Sequence, residues 1–187
     1  MTNNILSHHC VSGRIYQQLG MQFKNPFMWC VIPPEDFYYL YNHYNEIDYK
    51  NIKLEKAGKD YKLTIGDKIS IYYVHYKYDK DANVPIKKFK IDIFYNKIED
   101  YILDRYYARL ERMIDPPTYI VTDRIFMTKP ECNFEKNDLL KYVDKDNCIV
   151  VTCDKTIAGK NVIYVPNKNL DPVDIAEIII KELNLKK

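Results

Sequence analysis

The sequence lacks the marks of several protein classes. No apolar stretch reaches the roughly 18 to 20 residues that a membrane span needs, and the opening MTNNILSHHC has neither a basic n-region nor an apolar h-region. A cytoplasmic protein with no membrane span is therefore expected. The five cysteines, Cys10, Cys30, Cys132, Cys148 and Cys153, are odd in number and contain no C-x-x-C pair, which argues against both a disulfide framework and a zinc ribbon. Reduced thiols are expected. H-x-x-x-H spacing is also absent, so no metal site is predicted, and no cofactor is implied. There is no G-x-G-x-x-G, no P-loop and no G-x-S-x-G, which removes the signatures of dinucleotide binding, P-loop phosphate binding and the hydrolase nucleophile elbow. Charge of one sign is lacking too: 28 Lys and Arg against 26 Asp and Glu leave a formal +2, too little to draw nucleic acid or an anionic membrane. The aromatic and basic residues interleaved in YKYDK and KKFKID do not change that balance.

What is present reads as a folding chain. With 187 residues, 47% hydrophobic, 14% aromatic and 29% charged, it matches one globular domain, 1–187, able to bury about 70% of its unfolded surface. The 18 tyrosines accompany many Lys, Asn and Ile residues, as AT-rich codons produce, and are not read as a binding surface. Ile5-Leu6 begins a strand. Gly13 to Leu19 reads as a short helix that Gly20 ends in a left-handed cap. FMWCVI, residues 27 to 32, suits a buried strand, and Pro33-Pro34 stops it before Glu35-Asp36 open an aromatic helix with Phe37, Leu40, Tyr41 and Tyr44 on one face. YKLTIGD and KISIYYVHY predict an antiparallel hairpin about Gly66-Asp67. YDKDANVPIKKFK, residues 78 to 90, reads as an exposed connection and a candidate lid. From Ile98 to Met113, Ile102, Leu103, Tyr106, Leu110 and Met113 form an apolar stripe, with Arg105, Arg109 and Arg112 displaced onto a solvated face.

The last third alternates: TYIVTD as a strand, Phe134 to Val143 as a helix, CIVVT and NVIYVP as strands, and Pro172 to Leu185 as a helix with Asp171 as N-cap. Continuous apolar strands between helices predict a parallel sheet buried on both faces. The expected fold class is α/β: a single domain with a mostly parallel, Rossmann-like sheet flanked by helices and an inserted antiparallel hairpin.

In open sheets of this kind ligands gather beyond the carboxyl ends of the strands. That rule selects Ser7, His8, His9, Cys10 and Ser12 after the first strand, Glu35 and Asp36 after the second, and Thr122, Asp123 and Arg124 after the strand that follows the long helix. His75 and Tyr76 end the hairpin strand and join them. A histidine near its ordinary pKa is a general base with Asp36 or Asp123 as orienting partner, and a loop histidine satisfied by its surroundings is the plainer reading. Cys10 before Gly13-Arg14 is a nucleophile if a neighbour depresses its pKa, and otherwise an ordinary buried residue. Ser12-Gly13-Arg14 resembles a small phosphate-binding turn, with Arg14 offering bidentate contacts. Asp123 beside Arg124 suits a ribose, metal or sugar hydroxyl, and equally a structural ion pair.

LSHHCVSGRIYQQLG, NPFMWCVIPPEDF, YVHY, the arginine-bearing helix and IVTDR, in this order, resemble an uncharacterised family of exopolysaccharide or capsule biosynthesis proteins, domain of unknown function 1919, over nearly the whole chain. The resemblance runs through Gly13 and Tyr16, Asn25-Pro26-Phe27, Glu35-Asp36-Phe37, His75-Tyr76 and Thr122-Asp123-Arg124. Histidines stand at positions 8 and 9 where the family usually has asparagines. This departure moves the expectation for chemistry to Glu35, Asp36, His75, Asp123 and Arg124.

The resemblance implies a place in surface-glycan assembly. The expected function is a transferase that moves an activated group, a sugar, glycerol phosphate or acyl, to a glycan acceptor. His75, Asp36, Asp123 and Glu35 are the catalytic candidates, and Arg14, Arg124, Tyr76, Ser12, His9 and Cys10 the substrate-binding ones. The expected partners are a nucleotide-linked or CoA-linked donor, a glycan precursor and other polysaccharide-assembly enzymes. The alternative is a non-catalytic module of the same pathway that binds a glycan or a glycosyltransferase.

Overall fold

The structure, a computed structural model, describes residues 4–73, 97–113, 115–123, 130–167 and 170–185. Its described elements are β1 (Ile5–Ser7), α1 (Val11–Gln18), β2 (Cys30–Val31), α2 (Pro34–His43), β3 (Ile52–Ala57), β4 (Asp60–Ile65), β5 (Ile69–Tyr73), α3 (Ile98–Leu110), β6 (Thr118–Thr122), a 3₁₀ turn (Pro130–Cys132), α4 (Lys136–Leu140), β7 (Cys148–Thr152), β8 (Val162–Tyr164) and α5 (Pro172–Glu182). The fold is mixed α/β with two four-stranded sheets. One is parallel in the order β1-β6-β7-β8, and the other is antiparallel in the order β2-β5-β4-β3.

The parallel sheet is buried on both faces, as its apolar strands require. Side chains alternate across a strand, so Leu6, Tyr119, Val121, Cys148 and Val150 enter one core, and Ile5, Ile120, Ile149 and Val151 enter the other. The first core also takes Phe37 and Leu40 of α2, Ile102 and Tyr106 of α3, and the buried face of the antiparallel sheet. The second is closed by α1 and α5, which pack on each other.

The expected inserted hairpin is part of a full antiparallel sheet. The turn forms as predicted: Gly66 and Asp67 have φ of 57° and 55°, and the Lys68 N–H donates to the Ile65 carbonyl at 3.1 Å. Sequence reading missed β3, whose residues Lys53, Glu55 and Lys56 are exposed. Its charges blunt a sheet edge and hide its weak alternation. Likewise FMWCVI is not a strand of the parallel sheet. Residues 26–29 turn, Trp29 takes φ 63°, and only Cys30 and Val31 pair, antiparallel to Tyr73 and Tyr72. Gly13 makes this turn possible, because a Cβ there would lie 3.1 Å from the Trp29 ring.

Helix ends follow their local chemistry. Gly20, at φ 64°, closes α1 in a Schellman motif, its N–H donating to the Gln17 carbonyl at 3.1 Å and that of Met21 to the Tyr16 carbonyl at 2.9 Å. Asp171 caps α5 through the N–H groups of Val173 and Asp174 at 2.6 and 3.0 Å. The expected helix from Phe134 to Val143 is shorter, Lys136–Leu140, because from Lys141 the hydrogen bonds tighten to three-residue turns, Lys141 to Asp138 and Tyr142 to Leu139, and Asp144 adopts φ 57°. Arg109 is not on a solvated face. It is 5% exposed with its guanidinium 5.2 Å from the Phe23 ring centre, and Arg105 lies 5.5 Å from that of Tyr101. Aromatic rings give the long arginine stems a surface to pack on.

A buried amide bracket fixes where β1 begins. Asn25 donates to Asn4 Oδ1 at 3.0 Å and to the Ile5 carbonyl at 2.9 Å, and accepts the Phe27 N–H at 3.1 Å. The Thr118 N–H donates to the Asn4 carbonyl at 2.8 Å, so the same bracket sets the register of β1 on β6. Asn25→Ala leaves three buried groups without this partner and is expected to cost about 3 kcal/mol, against about 1 kcal/mol for the exposed cap variant Asp171→Ala. Urea unfolding with unchanged m-values measures both; equal losses would show that the bracket carries no special weight.

Candidate functional site

β1, β6 and β7 run side by side and end at one edge, where Ser7, His8, His9, Thr122, Asp123 and Thr152 are found. After Ser7 the chain must leave β1 and start α1, and the first amides of a helix have no partner within it. Here side chains supply them. His9 Nδ1 accepts the Val11 N–H at 3.2 Å, and Ser7 Oγ accepts the Ser12 N–H at 2.9 Å. Ser7 Oγ also reaches the His9 carbonyl and lies 3.0 Å from Ser12 Oγ.

His8 does the corresponding work for β6. Its Nε2 is within hydrogen-bond distance of both the carbonyl and the N–H of Thr122, at 3.2 and 3.3 Å. Its backbone carbonyl accepts the Ile32 N–H at 2.8 Å, which ties the loop before α2 to the same edge. The ring is 3.7 Å from Phe134 and 5.9 Å from Phe37, centre to centre, and 4.1 Å from His9. Both histidines are fully buried. Burial holds the His8 ring well below its ordinary pKa, helped by His9 beside it, and pushes His9 down to about 3. These rings are neutral at physiological pH and make poor general bases.

Asp123 follows β6 and accepts a hydrogen bond from Thr152 Oγ1 at 3.0 Å, while that oxygen accepts the Asp154 N–H at 3.0 Å. Asp154 is itself fixed by Thr156 and by Lys136 at 3.1 Å, contacts that lower its carboxyl to about 2. Thr152 and Asp154 were not among the sequence candidates. The signal for them was there: Thr152 ends CIVVT, and the strand-end rule applied to β7 selects it.

The other expected residues divide. Asp36 opens α2 and accepts the Ser70 N–H of β5 at 3.1 Å, with its carboxyl pushed up chiefly by burial. Glu35 beside it is exposed. Among the described residues no hydrogen bond or ion pair joins either of them to the His8–Asp123 edge; Phe37, one residue further on, provides the contact. Ser12, Gly13 and Arg14 lie inside α1, not in a turn before it. Arg14 donates to Gln17 at 3.1 Å and lies over the Trp29 ring at 5.3 Å. Cys10 is buried in the apolar cluster of α1 and α5. His75, Tyr76, Arg124 and the 78–90 segment lie outside the described residues.

Among the described residues no cluster of three or more His, Cys, Asp or Glu could hold a metal, and no helix is long and apolar enough to cross a membrane. All five cysteines are free thiols. A groove of about 470 Å³ lies at the opposite, amino end of the parallel sheet, between Thr118, Asn147, Lys160 and Glu182. Its best-placed amide, Asn161, is spent on the Tyr142 and Cys148 carbonyls and the Asp144 N–H.

Residues 1–114 match the family described as "Domain of unknown function (DUF1919)". The chain belongs to this family. The match takes in β1 through α3, with the histidine pair, the Asn25 bracket and the Glu35-Asp36-Phe37 start of α2. It stops before β6, so Thr122-Asp123-Arg124 lies beyond it and the resemblance is confirmed over a shorter span than nearly the whole chain. A comparison with curated proteins finds no match.

The neutral histidines carry a pH signature. Each has a folded pKa below its unfolded value of about 6.5, so the unfolded chain binds more protons and their contribution to stability is complete above that pH and lost as pH falls. Per histidine the loss is about 1.4 kcal/mol for each pH unit below about 6.5. Urea midpoints at neutral and mildly acid pH are expected to diverge less in His9→Asn than in the wild type. The same divergence in both would show that His9 is not held neutral.

Proposed function

We propose that this protein is a transferase of cell-surface polysaccharide assembly, exopolysaccharide or capsule, moving an activated sugar, glycerol phosphate or acyl group to a hydroxyl of a glycan precursor. The two sheets are read as one domain of Rossmann-like character, with the chemistry at the carboxyl edge of its parallel half. The place in glycan assembly rests on the sequence resemblance. The observation that supports the chemistry is Asp123, a carboxylate at a parallel strand end, oriented by Thr152 and next in sequence to the residue that His8 grips.

In this reading the acceptor oxygen bonds to the transferred group as the bond to the donor's phosphate or thioester sulfur breaks. The leaving group takes the electron pair, and Asp123 takes the hydroxyl proton. Asp36 positions α2 against the antiparallel sheet through Ser70, and Phe37 beside it carries the contact to His8. A nucleotide-linked or CoA-linked donor implies work in the cytoplasm, where such donors are made, alongside other assembly enzymes.

The test is a thermal-shift and turnover screen of nucleotide sugars, CDP-glycerol and acyl-CoAs against wild type, Asp123→Asn and Thr152→Val. One donor is expected to raise the wild-type midpoint, and Asp123→Asn to lower turnover by about 100-fold or more with the fold intact. Thr152→Val is expected to lose less, since it removes only the orienting bond. A folded protein that binds no donor, or turns one over equally well without Asp123, would overturn the assignment and favour a non-catalytic glycan-binding module.

A further inference from the structure

Two polar atoms at the carboxyl end of β1 are buried and meet no hydrogen-bond partner among the described residues. His9 is neutral and its Nδ1 accepts the Val11 N–H, so its single proton is on Nε2, and this N–H donor is the first of them. His8 Nε2 is engaged at Thr122, and His8 Nδ1 is the second. A buried polar atom left unpaired costs about 1–3 kcal/mol. Two of them on neighbouring rings are open to a shared partner. The ring centres are 4.1 Å apart, a spacing at which one small group can lie against both.

The surroundings select the kind of oxygen. Both rings are neutral, and their side chains hydrogen-bond to backbone groups. Among the described residues no ion pair or hydrogen bond brings a cationic side chain to either, so a phosphate or carboxylate held there would be a buried charge that no described cation meets. His8 Nε2 lies 3.2 Å from the Thr122 carbonyl and 3.3 Å from its N–H, so either tautomer engages Thr122. Nδ1 is a bare lone pair when Nε2 donates and carries the proton when Nε2 accepts. A carbonyl satisfies both rings only in the second case. A hydroxyl satisfies both in either, accepting from His9 and donating to, or accepting from, His8 Nδ1. The Phe134 ring packs on His8 with centres 3.7 Å apart and makes the surroundings of the pair apolar.

We infer that His8 and His9 form a subsite for one hydroxyl of an uncharged carbohydrate or polyol. The inference rests on the transferase reading only in identifying that hydroxyl with the glycan acceptor.

Nitrogen–proton NMR spectra of the full chain with isotope-labelled histidine read the subsite directly. Glycerol and the methyl glycosides of glucose, galactose, mannose and N-acetylglucosamine are the neutral probes, and inorganic phosphate and UDP the anionic ones. At least one neutral probe is expected to move the His9 Nε2 and His8 Nδ1 signals saturably, and His9→Phe to weaken its binding about tenfold or more. Wild-type spectra decide the matter if His9→Phe fails to fold. No response to any neutral probe would mean that water satisfies the two nitrogens, and a response to the anions alone would mean a charged ligand; either overturns the inference. The titration repeated on Asp123→Asn separates the two readings. Neutral binding retained with turnover unchanged sinks the catalytic role of Asp123 and leaves the subsite standing. Turnover lost while no neutral probe touches the histidines sinks the subsite alone.

Discussion

The edge of the parallel sheet is organised by a shortage of backbone partners. β1 is only three residues long, and past Ser7 the end of β6 has no strand on its β1 side, although Thr122 still pairs with Val151 of β7, while the first amides of α1 have no partner in the helix. Ser7, His8 and His9 meet that need with side chains, one for Ser12, one for Thr122 and one for Val11. Unpaired amides at this depth would each be costly, so these contacts hold three elements in register at once. They also explain why two histidines are fully buried, a condition unusual for that residue type. The position of Asp123 depends on this join, because the residue before it is the one His8 holds.

Much of this arrangement was legible in the sequence, for local reasons. Gly20, the Gly66-Asp67 turn and the Asp171 cap are short-range devices, and each forms where its residue type demands. The double burial of β6 and β7 follows from the unbroken runs YIV and CIVV at their centres. The failures were failures of distance. β3 hides because Lys53, Glu55 and Lys56 give it the composition of a loop, and its pairing with β4 restores it. FMWCVI has the apolar content of a parallel strand, yet the left-handed Trp29 turn, seated on Gly13 from another helix, sends Cys30 and Val31 to the antiparallel sheet. Arg109 has the spacing of a solvated position and is buried because Phe23, far away in sequence, supplies the ring it rests on.

The candidate site shows the same division. The strand-end rule gathers Ser7, His9, Ser12 and Asp123, which the structure does place at or beside this edge, because it depends only on knowing where parallel strands stop. It missed Thr152, since a terminal threonine in an apolar strand looks like β-propensity alone. Arg14 illustrates the opposite error. Beside Ser12 and Gly13 it reads as a phosphate contact, but α1 already includes those residues, and their geometry turns the guanidinium to Gln17 and Trp29.

The protonation state of the histidines decides what chemistry the edge can support. A ring whose pKa is near 3 has too little basicity to take a proton from a hydroxyl at neutral pH, whatever its distance from one. In the proposed transfer reaction, proton removal is therefore assigned to a carboxylate, and Asp123 is the one that Thr152 orients at this edge. A neutral imidazole keeps a different capacity: its N–H is a fixed dipole that need not reorganise when charge develops on an oxygen beside it. Burial is what creates this division of labour. The same desolvation that disqualifies His8 and His9 as bases keeps them uncharged, so in the proposed reading they serve as hydrogen-bonding groups and the charge at this edge is left to Asp123.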